Sequence, residues 1–149
     1  MNISNTKIAI LIPKKIDFNK PLIRKIILAL VEELHFSIAS INVSFVDRKE
    51  ILELNGKYLN HHFSTDILTF NYSGSNTQLD GEIIISYEDA VENASRFHIS
   101  GQEEYLRLII HGILHLLGYD DQIKNDKIKM KRKETSLVKK LNYLILNKI

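Results

Sequence analysis

Residues 100–118 contain the feature that most restricts the possible folds, a helix that is apolar on nearly every side. Ser100, with Glu103 three residues later, forms a capping-box pattern that marks a helix start, and Gly118 stands where helices often end in a left-handed residue. The apolar side chains between these signals are Tyr105, Leu106, Leu108, Ile109, Ile110, Ile113, Leu114, Leu116 and Leu117. A helix of this kind lies inside a domain, so we expect the chain to pack around it.

Two histidines interrupt this apolar helix at a spacing that suits a metal ion. His111 and His115 are four residues apart and therefore share one face of the helix, where both imidazoles can hold the same ion. A turn at Gly118 allows Asp120 or Asp121 to approach as a third ligand. The spacing is that of the long zinc-protease signature, whose third ligand stands ten residues after the first histidine, here Asp121. We therefore predict a metal site.

The same residues leave alternatives open. Histidine pairs on apolar helices are often packed imidazoles without a metal, and two histidines with one carboxylate also suit an iron enzyme that uses dioxygen. A metalloprotease is disfavoured because Gly112 replaces the general-base glutamate of that signature. His61 and His62 are adjacent in a predicted loop, where neighbouring side chains usually face different ways, and we do not expect them to be ligands.

Composition limits the class of protein. A chain of 149 residues with 44% hydrophobic content has enough material for one domain, which we assign to residues 1–149. The absence of cysteine excludes disulfides and thiolate metal sites, so imidazole and carboxylate are the available ligands. No signal peptide or membrane span is recognisable, and we expect a cytoplasmic protein without membrane contact.

Charge is unevenly distributed along the chain. Residues 122–149 contain 9 Lys and Arg against 2 Asp and Glu, whereas residues 1–121 contain 11 against 16. A basic block of this kind either binds phosphate groups or forms the solvated face of a helix.

Periodicity and turn signals predict the remaining elements. Strands are expected at residues 7–12, 41–45, 67–72 and 81–85, the last two as a possible hairpin. Helices are expected to begin after caps at Asn19, Asp47 and Ser86. The second of these should end at Asn55-Gly56, before a loop over residues 57–64, and a last helix should cover residues 123–146. The order of elements indicates an α+β (α/β-like) domain with one mixed sheet.

The motif also resembles that of a known family. HGILHLLGYDD, residues 111–121, is similar to the signature HGxLHLxGYDH of the YbeY family of bacterial rRNA-maturation endoribonucleases, in which three histidines bind zinc. TDILTF at residues 65–70 resembles the family's TDVLSF segment, and GEIIIS at residues 81–86 resembles its GDIVIS strand. In order and spacing the similarity covers nearly the whole chain.

The resemblance implies a four-stranded mixed sheet packed by helices, with a zincin-like site on the buried helix. It implies a single-strand-specific, metal-dependent endoribonuclease that acts in rRNA maturation and ribosome quality control. His111, His115 and Asp121 would hold one zinc ion and act in catalysis through it, although a carboxylate ligand also suits iron or manganese. The expected partners are RNA and the ribosome or small-subunit proteins.

Three further residues are candidates for substrate binding. Thr65 and Asp66 precede the strand that lies beside the metal site in the family, although a turn and a strand cap explain them equally well. Arg107 lies one turn before His111 on the same stripe, where it can contact a phosphate or form a surface salt bridge.

Two positions depart from the family pattern. Asp121 replaces its third histidine, and Leu59 stands where LNxxYR has an arginine able to hold a phosphate. Lys57, Arg48 or His61 are the candidates to replace that arginine. These departures keep two alternatives open: a non-catalytic ribosome-associated RNA-binding protein that retains the metal site, and another kind of metal-dependent hydrolase.

Overall fold

The computed structural model of the protein describes residues 7–60 and 65–146. One sheet is formed by β1 (Ile8–Leu11), β2 (Ser37–Val46), β3 (Ile67–Asn71) and β4 (Gln78–Ser86), in the order β1-β2-β4-β3. β1, β2 and β4 are parallel, and β3 pairs antiparallel with β4. The mixed sheet and the hairpin between the last two strands are thus confirmed, and the chain forms a single α+β domain.

Helices cover the sheet, and the first four begin at the predicted caps. They are α1 (Lys20–Leu34), α2 (Arg48–Leu59), α3 (Tyr87–Phe97), α4 (Gly101–Leu116), α5 (Lys124–Leu141) and α6 (Tyr143–Leu146). The side chains of the residues before α1, α2, α3 and α4 each accept a hydrogen bond from a backbone N–H in the first turn, and these residues are Asn19, Asp47, Ser86 and Ser100. Each cap satisfies a donor that the helix itself leaves unpaired.

Two predicted boundaries were wrong. α2 continues through Asn55-Gly56 to Leu59, so residues 57–59 are helical and not loop. The helix accepts the interior glycine at a cost of about 1 kcal/mol, and beyond it the ring of Tyr58 packs against Phe70 of β3, with centroids 5.9 Å apart. The helix ends at Asn60, which adopts a left-handed conformation with φ 55°. The predicted helix over residues 123–146 is divided into α5 and α6 by Asn142.

The main core lies between one face of the sheet and α1 and α4. β4 supplies Ile83 and Ile85 to this core, whereas Ile84 between them packs in a smaller cluster that includes Ile51 of α2 on the opposite face. Alternation along a strand places successive side chains on opposite faces, which explains why three consecutive isoleucines are all buried. Within the described part of the chain, no helix has both the length and the apolar character that crossing a bilayer requires.

Candidate active site

The C-terminal end of α4 is fixed by its own turn and by β3. Gly118 adopts φ 104°, and its N–H donates to the carbonyl oxygen of His115 at 3.1 Å, while the N–H of Tyr119 donates to that of Leu114 at 3.1 Å. These bonds satisfy carbonyls that the helix leaves free, and they confirm the predicted end at the glycine. Asn71 of β3 donates through Nδ2 to the carbonyl oxygen of Leu116 at 3.3 Å, so the helix end is held against the sheet.

The two histidines project in parallel from this helix. The imidazole rings of His111 and His115 are stacked, with centroids 6.5 Å apart and planes 5° from parallel. Both rings are partly exposed, unlike their neighbours Gly112 and Leu114, which are buried. The predicted shared face is therefore the face of α4 that opens to solvent.

A cleft of about 610 Å³ lies over this face. It is bounded by α4, by the start of β3, by the end of α2 and by the turn after α4. All six predicted site residues line it, namely Thr65, Asp66, Arg107, His111, His115 and Asp121. Leu59 lines the same cleft, so the structure brings the predicted residues together although they are up to 56 positions apart in sequence.

A second cavity of about 470 Å³ adjoins the cleft and shares Arg107, His111 and Asp121 with it. Its far wall is α5, which contributes Lys127, Ile128, Met130, Lys131 and Glu134. The basic C-terminal helix therefore forms part of the surroundings of the histidines.

Sequence reasoning missed a buried carboxylate at the centre of this region, Glu134. Its Oε1 lies 2.7 Å from Nδ1 of His111, and its Oε2 accepts hydrogen bonds from Arg107 at 3.0 Å and from Lys131 at 3.1 Å. Burial opposes ionisation, but the interactions with His111, Arg107 and Lys131 lower the pKa of Glu134 to about 2. A detectable signal was present in the sequence, because this glutamate lies on the buried stripe that also contains Met130 and Leu137.

Arg107 is held between two buried carboxylates. Its Nε donates to Oε1 of Glu104 at 2.9 Å, a second nitrogen contacts Oε2 of the same residue, and a third contacts Glu134. Burial opposes the guanidinium charge, but these carboxylates raise the pKa of Arg107 above its usual value. The salt bridge predicted at the surface for Arg107 therefore lies mostly out of solvent, because its partner Glu104 is fully buried.

The polar network continues to the start of β3. Asn93 of α3 donates through Nδ2 to Oδ2 of Asp66 at 2.9 Å and to Oε2 of Glu104 at 3.5 Å. The Thr65 hydroxyl donates to the carbonyl oxygen of Ile67 at 3.4 Å. Asp66 and Thr65 therefore have local structural partners in addition to their place in the cleft.

The two aspartates after α4 occupy different surroundings. Asp121 lines the cleft and the adjoining cavity. Asp120 accepts a hydrogen bond from the backbone N–H of Gln122 at 3.0 Å and lines a separate cavity with Tyr119 and Asp126. Placement alone thus favours Asp121 over Asp120 as the carboxylate near the histidines.

The imidazoles of His111 and His115 and the carboxylate of Asp121 are side chains of the kinds that bind divalent metal ions. The contact between Nδ1 of His111 and Glu134 is the arrangement usual for a metal-binding imidazole, and Nδ1 of His115 is buried without a hydrogen-bond partner among the described residues. Among those same residues, no three His, Asp or Glu side chains converge closely enough to hold an ion. His61 and His62 lie outside the described residues.

Comparison with known proteins identifies the family. The model of the family described as Endoribonuclease YbeY matches residues 3–142. The chain belongs to the endoribonuclease YbeY family.

Individual relatives agree with this assignment. Endoribonuclease YbeY from Chlorobium limicola is 36% identical over 118 residues, which cover 79% of this chain and 81% of the relative. Endoribonuclease YbeY from Flavobacterium psychrophilum is 41% identical over 99 residues, covering 66% and 70%. Among solved structures, the solution structure of TM1509 from Thermotoga maritima has a TM-score of 0.64 at 31% identity and covers 88% of this chain and 86% of its own.

The departure from the YbeY pattern at Leu59 is visible in the cleft wall. Leu59 ends α2 and is 41% exposed. Arg48, at the other end of α2, is paired with Asp89 and Glu92 of α3. The ammonium of Lys57 lies 5.2 Å from the ring centroid of Tyr58, and Lys57 is not among the residues that line the described cleft.

Position 112 explains why this fold has no protease-type glutamate. A Cβ placed on Gly112 would lie 2.9 Å from Cδ1 of Ile83 on β4 and 3.1 Å from its Cγ1 and Cγ2. The position faces the sheet, where the helix and strand approach too closely for a side chain as long as glutamate. A general base at this position therefore has neither space nor access to the cleft.

Proposed function

We propose that the protein is a metal-dependent endoribonuclease in which His111, His115 and Asp121 hold one divalent ion. The observation that carries the proposal is the pair of parallel imidazoles in the wall of a cleft that also contains this carboxylate, in a member of an endoribonuclease family. Zinc is the expected ion, and iron or manganese also suits two imidazoles and a carboxylate. Such an ion, held by these residues, would act as a Lewis acid toward the scissile phosphate and would lower the pKa of water at the site.

The side chains around the ion have distinct parts in this proposal. Three contacts tie the guanidinium of Arg107 to Glu104 and Glu134, while an arginine has five N–H donors. We assign its remaining donors to the substrate phosphate. Thr65 and Asp66, which precede β3 and line the same cleft, are assigned to the substrate nucleotide.

α5 provides a surface for the RNA chain. Lys127 and Lys131 line the cavity beside the histidines, and Lys131, Arg132 and Lys139 line a further cavity along the same helix. The two cavities share Ile128 and Lys131. From residue 127 to residue 139 a helix rises about 18 Å, so phosphates of an extended single strand can follow these cations away from the cleft.

The setting proposed for this activity follows from the family resemblance. The signature at residues 111–121 is similar to that of endoribonucleases that mature rRNA, so rRNA is the proposed substrate. Ribosomes or small-subunit proteins are the proposed partners, and the cytoplasm is the proposed compartment.

Metal analysis combined with an RNA cleavage assay tests the proposal. Protein purified without a metal-binding tag should contain about one divalent ion per chain and should cut single-stranded RNA in preference to duplex. His111→Ala should lose both ion and cleavage, whereas His98→Asn, at the exposed left-handed end of α3, should retain both. Cleavage that persists at full rate in metal-free protein or in His111→Ala would contradict the proposal.

A second candidate is a non-catalytic RNA-binding protein that keeps the metal site. It is favoured by Leu59, because a cleft wall that presents a leucine lacks the bidentate phosphate contact that an arginine makes. RNA that binds metal-loaded protein without being cut would support this candidate. Leu59→Arg should then produce cleavage, with Leu52→Arg, an exposed leucine elsewhere on α2, as the matched control.

A further inference from the structure

Glu134 is shared between two kinds of donor, one at each of its oxygens. Oε1 lies 2.7 Å from Nδ1 of His111, whereas Oε2 faces the cations of Arg107 and Lys131 at 3.0 and 3.1 Å. The residue is 1% exposed, so water cannot replace these partners without opening the packing between α4 and α5. The carboxylate of Glu134 is therefore held in place at both of its oxygens.

We infer that Glu134 is a positioning residue that sets the tautomer of His111, placing the ring proton on Nδ1 and leaving the lone pair of Nε2 available to a metal ion. An ionised carboxylate accepts hydrogen bonds and cannot donate one. The 2.7 Å contact therefore requires a proton on Nδ1, and a neutral imidazole has only one. This inference deepens the proposed function and rests on it for the identity of the ligand, but the tautomer is a property of the metal-free protein.

Glu134 lies on α5, so the ring of His111 is oriented by a different helix from the one that carries it. His111 belongs to α4, and its orientation depends on a helix that begins after the turn containing Asp121. Arg107 and Lys131 keep the carboxylate charged and in place from the side opposite His111. Orientation of a metal-binding histidine by a carboxylate typically changes metal affinity by about 10–100-fold.

Glu134→Gln separates this role from a purely structural one, because the amide of glutamine has one acceptor and one donor end. Two cations face the Oε2 position, so the amide oxygen should turn toward Arg107 and Lys131. The NH₂ group should then face Nδ1 of His111 and donate to it. In the variant, His111 should therefore carry its proton on Nε2, the reverse of the wild-type tautomer, within an almost unchanged shape.

The experiment is nitrogen NMR of the imidazole side chains in the metal-free full chain at pH 8, with His111 assigned by comparison with His111→Ala. Wild type should show the proton on Nδ1, and Glu134→Gln should show it on Nε2. Zn²⁺ titration against a competing chelator should show an affinity about 10–100-fold lower for Glu134→Gln than for wild type. The matched control is Glu104→Gln, which removes another buried carboxylate from Arg107 without contacting His111.

The outcomes are distinguishable from failure of the proposed function. A wild-type ring protonated on Nε2, or on both nitrogens at pH 8, would overturn the inference whatever metal the protein binds. An unchanged tautomer in Glu134→Gln, or an equal loss of Zn²⁺ affinity in Glu104→Gln, would also overturn it. If wild type has the expected tautomer but binds no Zn²⁺, the proposed metal site fails while the positioning of the ring by Glu134 stands.

Discussion

The two faces of α4 differ in what determines their residues. On the face toward the sheet, a Cβ added to Gly112 would lie 2.9 Å from Ile83, and the neighbouring Ile113 and Leu116 are buried among other apolar side chains. On the cleft face, His111 and His115 remain partly exposed and share the cleft with Asp66, Arg107 and Asp121. One helix therefore stabilises the domain on one side and presents chemical groups on the other, and substitutions on the two sides should change different measurements.

The largest effect is expected on the cleft face, from His115→Ala. Loss of one of two imidazole ligands should reduce the bound metal below detection, measured by elemental analysis of purified protein. Because alanine favours helix and the ring nitrogen Nδ1 lacks a partner among the described residues, the free energy of unfolding should change by less than about 1 kcal/mol. A large loss of stability would show that the two faces are not separable.

The turn after α4 offers a sharper comparison between adjacent residues. Asp121→Ala, which removes a direct ligand, should lose most of the metal affinity, whereas Asp120→Ala should lose much less because its carboxylate faces another cavity. Asp121→His should retain the metal, add one unit of positive charge to the site and lower the pH at which a coordinated water ionises. If Asp120→Ala is the variant that loses the ion, the assignment of the third ligand is wrong.

The basic side of α5 should affect RNA binding without affecting metal. Lys127→Glu combined with Arg132→Glu should weaken binding to unrelated RNAs about equally and reduce the slope of log affinity against log salt by about 2, measured by fluorescence anisotropy. The control is the same charge change on α1, Lys20→Glu with Lys25→Glu, both exposed. Equal slopes for the two double variants would identify α5 as a solvated helix face.

The smallest effect is expected on the sheet face, from Gly112→Ala. Overpacking against Ile83 costs about 1–3 kcal/mol, and the gain in helix propensity of about 1 kcal/mol offsets part of it. A net loss of about 1 kcal/mol in denaturant unfolding is expected, with metal binding unchanged. Gly101→Ala, where an added Cβ has nothing within 4 Å, should not destabilise the protein. Ile83→Val removes the atom in closest contact and should reduce the cost of Gly112→Ala.

The predictable part of the fold was the part that depends on neighbours in sequence. The caps at Asn19, Asp47, Ser86 and Ser100 and the end of α4 at Gly118 involve bonds between residues at most five apart, so the sequence reveals them directly. The continuation of α2 past Asn55-Gly56 depends instead on the rest of the domain, since the ring of Tyr58 packs against Phe70 of β3. Local turn residues favoured a stop there, and tertiary packing overrode them.

The candidate site divides in the same way. The histidine spacing predicted a shared face, and the turn at Gly118 predicted that Asp120 or Asp121 can approach it. The family resemblance added Thr65 and Asp66, at the start of β3. Glu134 was missed because its role depends on how α5 packs against α4, which brings residues 23 positions apart into contact. Its position on an otherwise apolar stripe was the available sign, since a carboxylate is seldom buried without a partner.

The anchoring of α4 at its C-terminal end also limits which changes of chain length this family can accept. Gly118 closes the last turn, and Asn71 holds Leu116 from the neighbouring strand. One residue inserted or deleted between positions 112 and 116 would rotate His111 by about 100° and shift it by about 1.5 Å relative to these anchors. His111 would then lose Glu134, and an insertion between the two histidines would also place their rings on different faces. Gain or loss of single codons should therefore be confined to segments such as residues 73–77, which join β3 to β4 on the surface.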